Sequence, residues 1–513
     1  VFRGLTNFLR LIAVGRIIAR YDLMRFIGLP APLRLAIRLS GGHADRAKAA
    51  LRPGQRLVLA LQEMGPTFIK LGQTLSTRAD MIGEQVAEDL AELRDKLPAF
   101  PSDQARAILA AELDAPIEEL YQSFDDVPVA AASIAQVHYA VTTEGAEVAV
   151  KILRPNIEQR FATDIALLLW LTEWVERLRP RMRRLHLVTS VRNFEGVVSR
   201  EMDLRFEAAA AAELAQNFEG DPDFVIPEVD WHRTARRVLT LERIHGIPID
   251  QTEAIKAAGI DVTRVVELAA DAFFKMVFRD GFFHADLHPG NLFVGAQGQI
   301  VAVDFGITGR LDRASRHFLG ELLLGFLNRD FHRVAQIHFD AGIIPADQSV
   351  ELFTQAVRSI AEPILGRPFA EISVARLLGQ LFEVSRAFRL EAQPQLLLLQ
   401  KTMLVAEGVG RGLNPEVNMW VLARPLIEDW MTENLGPRAK IRESFGKLIE
   451  TIENLPKLVR NFETMSEALK SGGVRLHPDS VRAIEANRRG GGLFPPWLPW
   501  VLAAILAYFL IRR

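Results

Sequence analysis

The spacing of apolar residues changes period several times along this 513-residue chain. From 55 to 97 apolar positions recur every three or four residues, which predicts helices interrupted near Gly65-Pro66 and Gly83. A short helix over about 102–112 follows, with Ser102 as its cap. The period then drops to two. VPVAAASIAQVHYAVTTEGAEVAVKIL predicts strand, turn and strand, with Glu144-Gly145 at the turn. ALLLWLTEWVERL (166–178) and EAAAAAELAQNF (207–218) return to helical spacing, and FVIPEVD and RRVLTLERIHG (236–246) read as strands. Residues 261–279 predict a helix that leads into HADLHPGNLFVGAQGQIVAVDFG (284–306). The remainder to about 487 is mostly helical, with polar breaks near 342–349 and 411–415.

A lobe of mixed strands therefore precedes a mostly helical lobe, joined near 241–250. No regular βαβαβ order and no internal repeat is visible, which argues against a doubly wound sheet.

Composition narrows the choices. Hydrophobic residues make 49% of the chain and charged residues 24%, ordinary for a folded protein. A net charge of -2 gives no global case for nucleic acid as a partner. With no cysteine, neither a disulfide framework nor a thiolate metal site is possible, and a cytosolic setting fits.

Charge is uneven. Residues 1–56 hold ten arginines and one lysine against Asp22 and Asp45. Arg3, Arg10, Arg16 and Arg20 punctuate apolar residues at helical spacing, as in a basic amphipathic helix on an anionic membrane or a helix packed on the protein with a solvated edge. Arginines interrupt this stretch and no small-residue cleavage site follows, so it is not read as a secretory signal. Near the other end, LFPPWLPWVLAAILAYFLI (493–511) runs 19 residues without a charge, and Trp497, Trp500 and Tyr508 suit interfacial positions. A transmembrane anchor is expected there. RLRPRMRR (177–184) suits lipid headgroups or a solvated loop equally.

The chemistry concentrates in 284–306. His284, Asp286, Asn291 and Asp304 stand at offsets 0, 2, 7 and 20. Asp286 and Asn291 match the D-L-x-x-x-N spacing of a phosphoryl-transfer loop, in which the aspartate addresses the acceptor hydroxyl and the asparagine holds magnesium. QIVAVDFG is a strand that delivers Asp304 in a DFG element, a second hard oxygen donor for Mg²⁺. A His284/His288 zinc pair is the rival reading. A four-residue offset aligns side chains only on a helix, and Pro289-Gly290 ends any helix there. A cation for phosphate is expected upstream on a strand, and VAVKIL supplies Lys151. Its carboxylate partner stays open on sequence grounds among Glu158, Glu173, Glu176, Glu195, Glu201 and Glu207.

The ordered set VAVK, HADLHPGN and DFG resembles the ABC1/ADCK/UbiB family of atypical protein-kinase-like proteins, over roughly residues 50–430. KLGQ (70–73) matches its KxGQ signature, AAASIAQVH (130–138) its alanine-rich nucleotide loop, and REMDLRFEAAA its ExD signature. The resemblance implies an α+β, protein-kinase-like two-lobe fold with a helical N-terminal extension, to which the uncharged run at 493–511 adds a C-terminal transmembrane helix. The implied segments are a basic membrane-proximal stretch (1–50), a helical extension (51–115), an N-lobe with a helical insert (116–245), a helical C-lobe (246–487) and the anchor (493–511).

The resemblance also implies the site. ATP and Mg²⁺ would be the ligands, with Asp286 as the group that orients acceptor or water, Asn291 and Asp304 on magnesium, and Lys151, paired with Glu207, on phosphate. The loop Ala130, Ala131, Ala132, Ser133 and Ile134 would lie over the phosphates, with Ser133 either donating to phosphate or capping a turn. The connector from Glu242 to Ile244 would offer main-chain groups to adenine. Lys70, Gln73, Glu201 and Asp203 would form a regulatory set in which the extension crosses the cleft, Lys70 pairing with Glu201 or Asp203. The activity implied is that of an ATPase or small-molecule kinase in ubiquinone biosynthesis at the bacterial inner membrane, the kinase-like domain on the cytoplasmic side. Membrane lipids, quinone-biosynthesis intermediates and other proteins of that pathway would be its partners. A nucleotide-gated, lipid-binding scaffold is the alternative. Neither hydroxylase chemistry nor protein phosphorylation is expected, because no dinucleotide GxGxxG follows a strand and no APE motif follows Gly306.

Overall fold

The computed structural model describes residues 2–24, 51–76, 82–91, 97–178, 186–363 and 394–414, with isolated positions between and beyond them, the last being Trp430. They belong to the first of two compact units, Val1–Met431. The second, Thr432–Arg513, lies outside the described residues.

The N-terminal part is helical: α1 (Phe2–Arg20), α2 (Pro53–Met64), α3 (Pro66–Ser76), α4 (Glu84–Ala91) and α5 (Ser102–Leu113). The breaks fall at the two expected glycines, each left-handed, Gly65 at φ 105° and Gly83 at φ 84°. Ser102 is not the cap of α5 but its first residue. Pro101 takes the cap position, with no side-chain cap bond, because its fixed φ suits the entry to a helix.

α1 docks on the protein body rather than presenting all its arginines to a surface. Arg10 Nε lies 2.6 Å from Asp164 Oδ1, and Arg10 Nη2 donates to the Met64 carbonyl at 3.0 Å. Val14 packs with Leu61, Met64, Phe68, Ile69, Leu90, Leu93 and Leu167 in one apolar cluster. Thr67, fully buried on α3, donates to the second oxygen of Asp164 at 2.8 Å. The buried aspartate is thus fully engaged, as a charge in that setting must be.

After α6 (Ile117–Leu120) come β1 (Tyr121–Phe124), β2 (Ala130–Ala131), β3 (Ala135–Thr142) and β4 (Glu147–Leu153). α7 (Ile157–Leu178), α8 (Leu187–Glu201) and α9 (Leu204–Asn217) form the insert. β5 (Phe224–Val225) and β6 (Val238–Glu242) follow. The main sheet runs β1-β3-β4-β6, all antiparallel, with β2 added against β3. Strand alternation decides the site here. Val148, Val150 and Ile152 are buried with Ile108 and Leu109 of α5, so Lys151 points to the opposite face.

The C-lobe begins with β7 (Ile247–Pro248), α10 (Thr252–Ala257) and α11 (Val262–Phe274). A π-helical stretch, Lys275–Asp280, continues α11, and Arg316 donates to its Phe278 and Arg279 carbonyls at 3.0 and 2.8 Å. Gly281 then turns at φ 66°, where a Cβ would stand 2.6 Å from the Leu311 carbonyl oxygen, so only glycine fits. β8 (Phe282–His284), β9 (Leu292–Val294), β10 (Ile300–Ala302) and β11 (Thr308–Arg310) carry the expected chemistry. α12 (Arg313–Leu327), α13 (Phe331–Asp340), α14 (Val350–Ala361) and α15 (Pro394–Leu413) complete the described part. Most of these short strands carry no alternating signal. β5 pairs in parallel with β10 of the C-lobe rather than joining the main sheet.

The α+β, kinase-like part of the expected fold class stands, but its transmembrane helix does not. Among the described residues no helix is long and apolar enough to cross a membrane. The expected span at 493–511 lies outside the described residues. The inner-membrane localisation drawn from that span is withdrawn with it. The second half of RLRPRMRR is likewise almost entirely outside the described residues.

Candidate functional site

Lys151, Glu207 and Asp304 meet from three elements. β4 aims Lys151 away from the α5 side of the sheet, the first turn of α9 carries Glu207, and Asp304 follows β10. Lys151 Nζ donates to Glu207 Oε1 at 2.7 Å and Oε2 at 3.0 Å, and to Asp304 Oδ1 at 3.1 Å. The other five glutamates are placed elsewhere. Glu158 pairs with Arg237, Glu173 with Arg177 and Glu201 with Lys70, Glu176 accepts from Val188 N–H, and Glu195 is exposed.

The three groups set one another's charge. Burial favours a neutral Lys151, but the negative charges of Asp304 and Glu207 outweigh it and hold the ammonium well above its ordinary range. The Lys151 charge keeps the half-exposed Asp304 ionised well below the usual carboxylate range. Lys70 adds to that effect, so its charge also reaches Asp304. Glu207, only 7% exposed, is pushed up by burial, with Lys151 acting in the other direction. It is the member whose ionised form costs most.

Asp304 adopts the left-handed region at φ 61°, which short polar side chains tolerate best. Gly306 N–H lies 3.4 Å from Asp304 Oδ1. A Cβ on Gly306 would come 3.3 Å from that oxygen and 3.8 Å from Glu207 Oε2, so the DFG glycine borders the cluster.

The Asp286 loop is tied to the Asp304 segment through its backbone. His284 is fully buried, its Nδ1 accepts from Asp286 N–H at 3.1 Å, and its Nε2 lies 3.1 Å from the Val303 carbonyl. With Nδ1 accepting, the proton must sit on Nε2, and burial lowers the affinity of this imidazole for a second one. His288, whose Nδ1 accepts from Gly290 N–H at 3.1 Å, caps the Pro289–Asn291 turn, which is a structural duty and not a metal ligand's. Asn291 Nδ2 donates to the Asp286 carbonyl at 3.0 Å and lies 3.3 Å from Asp286 Oδ2, leaving Asn291 Oδ1 as its remaining acceptor. Val303 N–H donates to the Asn291 carbonyl at 2.9 Å. Asn291 and Asp304 are therefore linked through one residue.

Lys70 Nζ stands 3.1 Å from Glu201 Oε2, which selects one of the two expected acidic partners. Asp203 is occupied otherwise. It caps α9 at Arg205 N–H and pairs with Arg205 Nη2 at 2.7 Å. Gln73 lies on α3 three residues beyond Lys70, partly buried.

The alanine-rich segment is a tight hairpin. Ala130 pairs with Val137, which pairs with Lys151 on β4, so loop and lysine share one row across the sheet. Ala132 N–H donates to the Ala135 carbonyl at 2.8 Å. Ser133 is fully buried, with no hydrogen-bond partner for its hydroxyl, and Ile134 is buried in the core. In the connector, Glu242 N–H donates to the Glu228 carbonyl and Arg243 N–H to the Glu147 carbonyl. Of the three donors expected to face adenine, that of Ile244 remains.

Two contributors escaped sequence reasoning. Arg154, just past β4, holds the Ala132 carbonyl, and Thr402, fully buried on α15, shares its one hydroxyl proton between the Leu398 carbonyl at 2.9 Å and the Ala285 carbonyl at 3.1 Å. An arginine after a strand and a threonine inside an apolar helix carry no signal of such partners.

Comparison with known proteins identifies the family. The family model of the ABC1 atypical kinase-like domain matches residues 92–338, and that of the UbiB helical domain matches 357–418. The chain is 42% identical over 534 residues to the "Probable protein kinase UbiB" of Pseudomonas aeruginosa (strain UCBPP-PA14), covering 99% of this chain and all of the relative. It is 40% identical over 476 residues to the protein of the same description from Marinobacter nauticus, covering 91% of this chain and 87% of that one. A solved structure, "The complex structure of Rv3197-erythromycin from Mycobacterium tuberculosis", superposes with a TM-score of 0.51 at 24% identity. It covers 77% of this chain and 98% of the other, a likeness of fold alone.

Proposed function

Because the chain belongs to the ABC1/UbiB family of atypical kinase-like proteins, we propose that it is an Mg²⁺-dependent ATP-binding protein, an ATPase or small-molecule kinase that supports ubiquinone biosynthesis. The observation that carries this reading is the convergence of Lys151, Glu207 and Asp304 beside the Asp286–Asn291 loop.

The donors fit magnesium. Asn291 Oδ1 and the Asp304 Oδ2 oxygen are hard ligands not taken by the hydrogen bonds above, and magnesium commonly takes one or two protein oxygens besides phosphate and water. When bound, the ion would neutralise charge on the phosphates. Lys151, held by Glu207, would bind phosphate oxygens as a fixed ammonium. Asp286, oriented by Asn291 and by the His284 bond to its N–H, would accept a hydrogen bond from the attacking hydroxyl or water. The new bond forms from that oxygen to the terminal phosphorus while the bridge to the β-phosphate breaks, and the proton leaves by Asp286. The ubiquinone link rests on the family. Quinone-biosynthesis intermediates and other proteins of the pathway are the proposed partners.

A second reading, a nucleotide-gated scaffold, is favoured by one feature: the Lys151 ammonium that would bind phosphate also contacts Asp304, an oxygen donor for the ion, at 3.1 Å. One assay separates the two. Phosphate release from ATP that is lost in Asp286→Asn, with nucleotide still bound, supports the enzyme. Turnover no greater than the protein-free control, with quinone precursors present, refutes it. Transfer of phosphate to polypeptide is not expected.

A further inference from the structure

The two faces of the main sheet differ in what they leave uncovered. On one face Ala140, Val148, Val150 and Ile152 are buried against α5. Alternation therefore puts Val137, Tyr139, Ala149 and Leu241 on the other face, with Lys151. Around Lys151 itself that face is closed, because Leu239 across from it and Leu153 beyond it are fully buried in the core. Toward the connector Val137, Tyr139, Ala149 and Leu241 stay half-buried. A ligand with phosphates at Lys151 and a flat apolar end has this ground to lie on, centred about 7 Å along β4 at Ala149.

Arg243 of the connector bars the far end of that ground. Its guanidinium carbon stands 3.9 Å from the centroid of the Tyr139 ring. Arg243 follows β6, Tyr139 lies on β3 and β4 runs between them, so the two backbones are about 10 Å apart. An arginine that meets a ring across this gap has to pass over β4 on the Lys151 face, where Ala149 offers only a methyl group and Glu147 follows. The stem is fixed too. Arg243 N–H donates to the Glu147 carbonyl at 3.0 Å, and Arg243 Nη1 lies 3.7 Å from Glu147 Oε1.

We propose that Arg243, stacked on Tyr139, is the positioning residue of a nucleobase subsite over Ala149. The stack ties the connector to β3 and sets how far a base reaches from Lys151. The proposal rests on the nucleotide-site reading above, and it assigns the base end to two side chains where that reading had main-chain groups alone. A guanidinium suits the task, since it is planar, weakly hydrated and lies flat on an aromatic face.

The test is equilibrium binding of Mg-ATP and of magnesium triphosphate, which has no base, to the full chain. Arg243→Met and Tyr139→Ala are each expected to weaken Mg-ATP about fivefold, the scale of one cation–π contact, and to leave the triphosphate unchanged. Tyr139→Phe keeps the ring face and is expected to bind both like the unaltered chain. If Arg243→Met does not fold, the contrast between Tyr139→Ala and Tyr139→Phe decides. Mg-ATP affinity unchanged in Arg243→Met or Tyr139→Ala, equal losses in Tyr139→Ala and Tyr139→Phe, or equal weakening of Mg-ATP and triphosphate overturns the proposal alone. Absence of Mg-ATP binding by the unaltered chain, or full binding by Lys151→Met, overturns the nucleotide-site reading and this proposal with it.

Discussion

The Lys151 ammonium lies 2.7 and 3.0 Å from the two carboxylate oxygens of Glu207, a partner 56 residues further along the chain. Two helices of the insert intervene, so the pair tethers α9 to the strand. Lys151→Met is expected to abolish Mg-ATP binding while costing little stability. Glu207 is already pushed up by burial, so it takes a proton once its cation is gone and no bare charge remains. Glu207→Gln is expected to weaken Mg-ATP binding roughly tenfold, the scale of losing one charge-assisted hydrogen bond. Calorimetric binding and a denaturation curve on each variant check both halves. A collapse of stability in Lys151→Met contradicts the first.

His284 and His338 set an acid limit on stability. Burial lowers both imidazoles below their ordinary value, and His338 is further enclosed by Phe318 and Phe353. The unfolded chain binds a proton near pH 6.5 and the folded chain takes it up only at lower pH. Stability is therefore complete above that pH and declines as pH falls through it, by up to about 1.4 kcal/mol per pH unit for each histidine. Denaturation midpoints between pH 7.5 and 5.5 should show the decline. His338→Gln, which still donates toward the Val334 carbonyl, should reduce the slope by about one proton.

Thr402 reaches from α15 to the Asp286 loop at the Ala285 carbonyl, a bond its hydroxyl shares with the Leu398 carbonyl one helical turn back. Thr402→Val keeps the shape and removes the donor. The expected loss is about 1 kcal/mol of stability. Turnover should fall while Mg-ATP affinity stays within a factor of two or so, because one hydrogen bond next to Asp286 bears on orientation more than on phosphate binding. Steady-state kinetics beside direct binding measures the split, and an equal fall in both would locate the effect elsewhere.

Asp164 joins α1, α3 and α7 through Arg10 and Thr67. Arg10→Ala leaves the buried carboxylate with the threonine alone, a loss of about 3 kcal/mol. Limited proteolysis should then cut within or just after α1. Arg10→Lys should restore only part of the protection, because the guanidinium also binds the Met64 carbonyl.

The sequence made legible those parts of the site whose chemistry is local. Asp286, Asn291 and Asp304 lie within 19 residues, so their spacing alone suggests phosphate and magnesium. Glu207 was open on spacing and needed the family resemblance. Of the two acidic partners open to Lys70, Glu201 is one it meets, and Asp203 pairs with Arg205 two residues away. Ser133 is expected to donate to phosphate or to cap a turn, whereas the structure buries it fully and gives its hydroxyl no hydrogen-bond partner. Arg154 and Thr402 act on main-chain carbonyls, which every residue has, so no residue-type pattern reveals them. Among the elements, long amphipathic helices were legible, whereas β1, β5 and the strands of the C-lobe are too short to show a period. The uncharged run at 493–511 lies outside the described residues.

The left-handed backbone of Asp304 decides which substitution can probe its charge. Alanine there would confound two changes, loss of the carboxylate and a backbone conformation its methyl group resists by roughly 1 kcal/mol. Asparagine accepts that conformation and matches the side chain in size, so Asp304→Asn is the clean control. A null phenotype from an alanine scan at this position would report on folding and chemistry together, and the asparagine variant is the one that separates them.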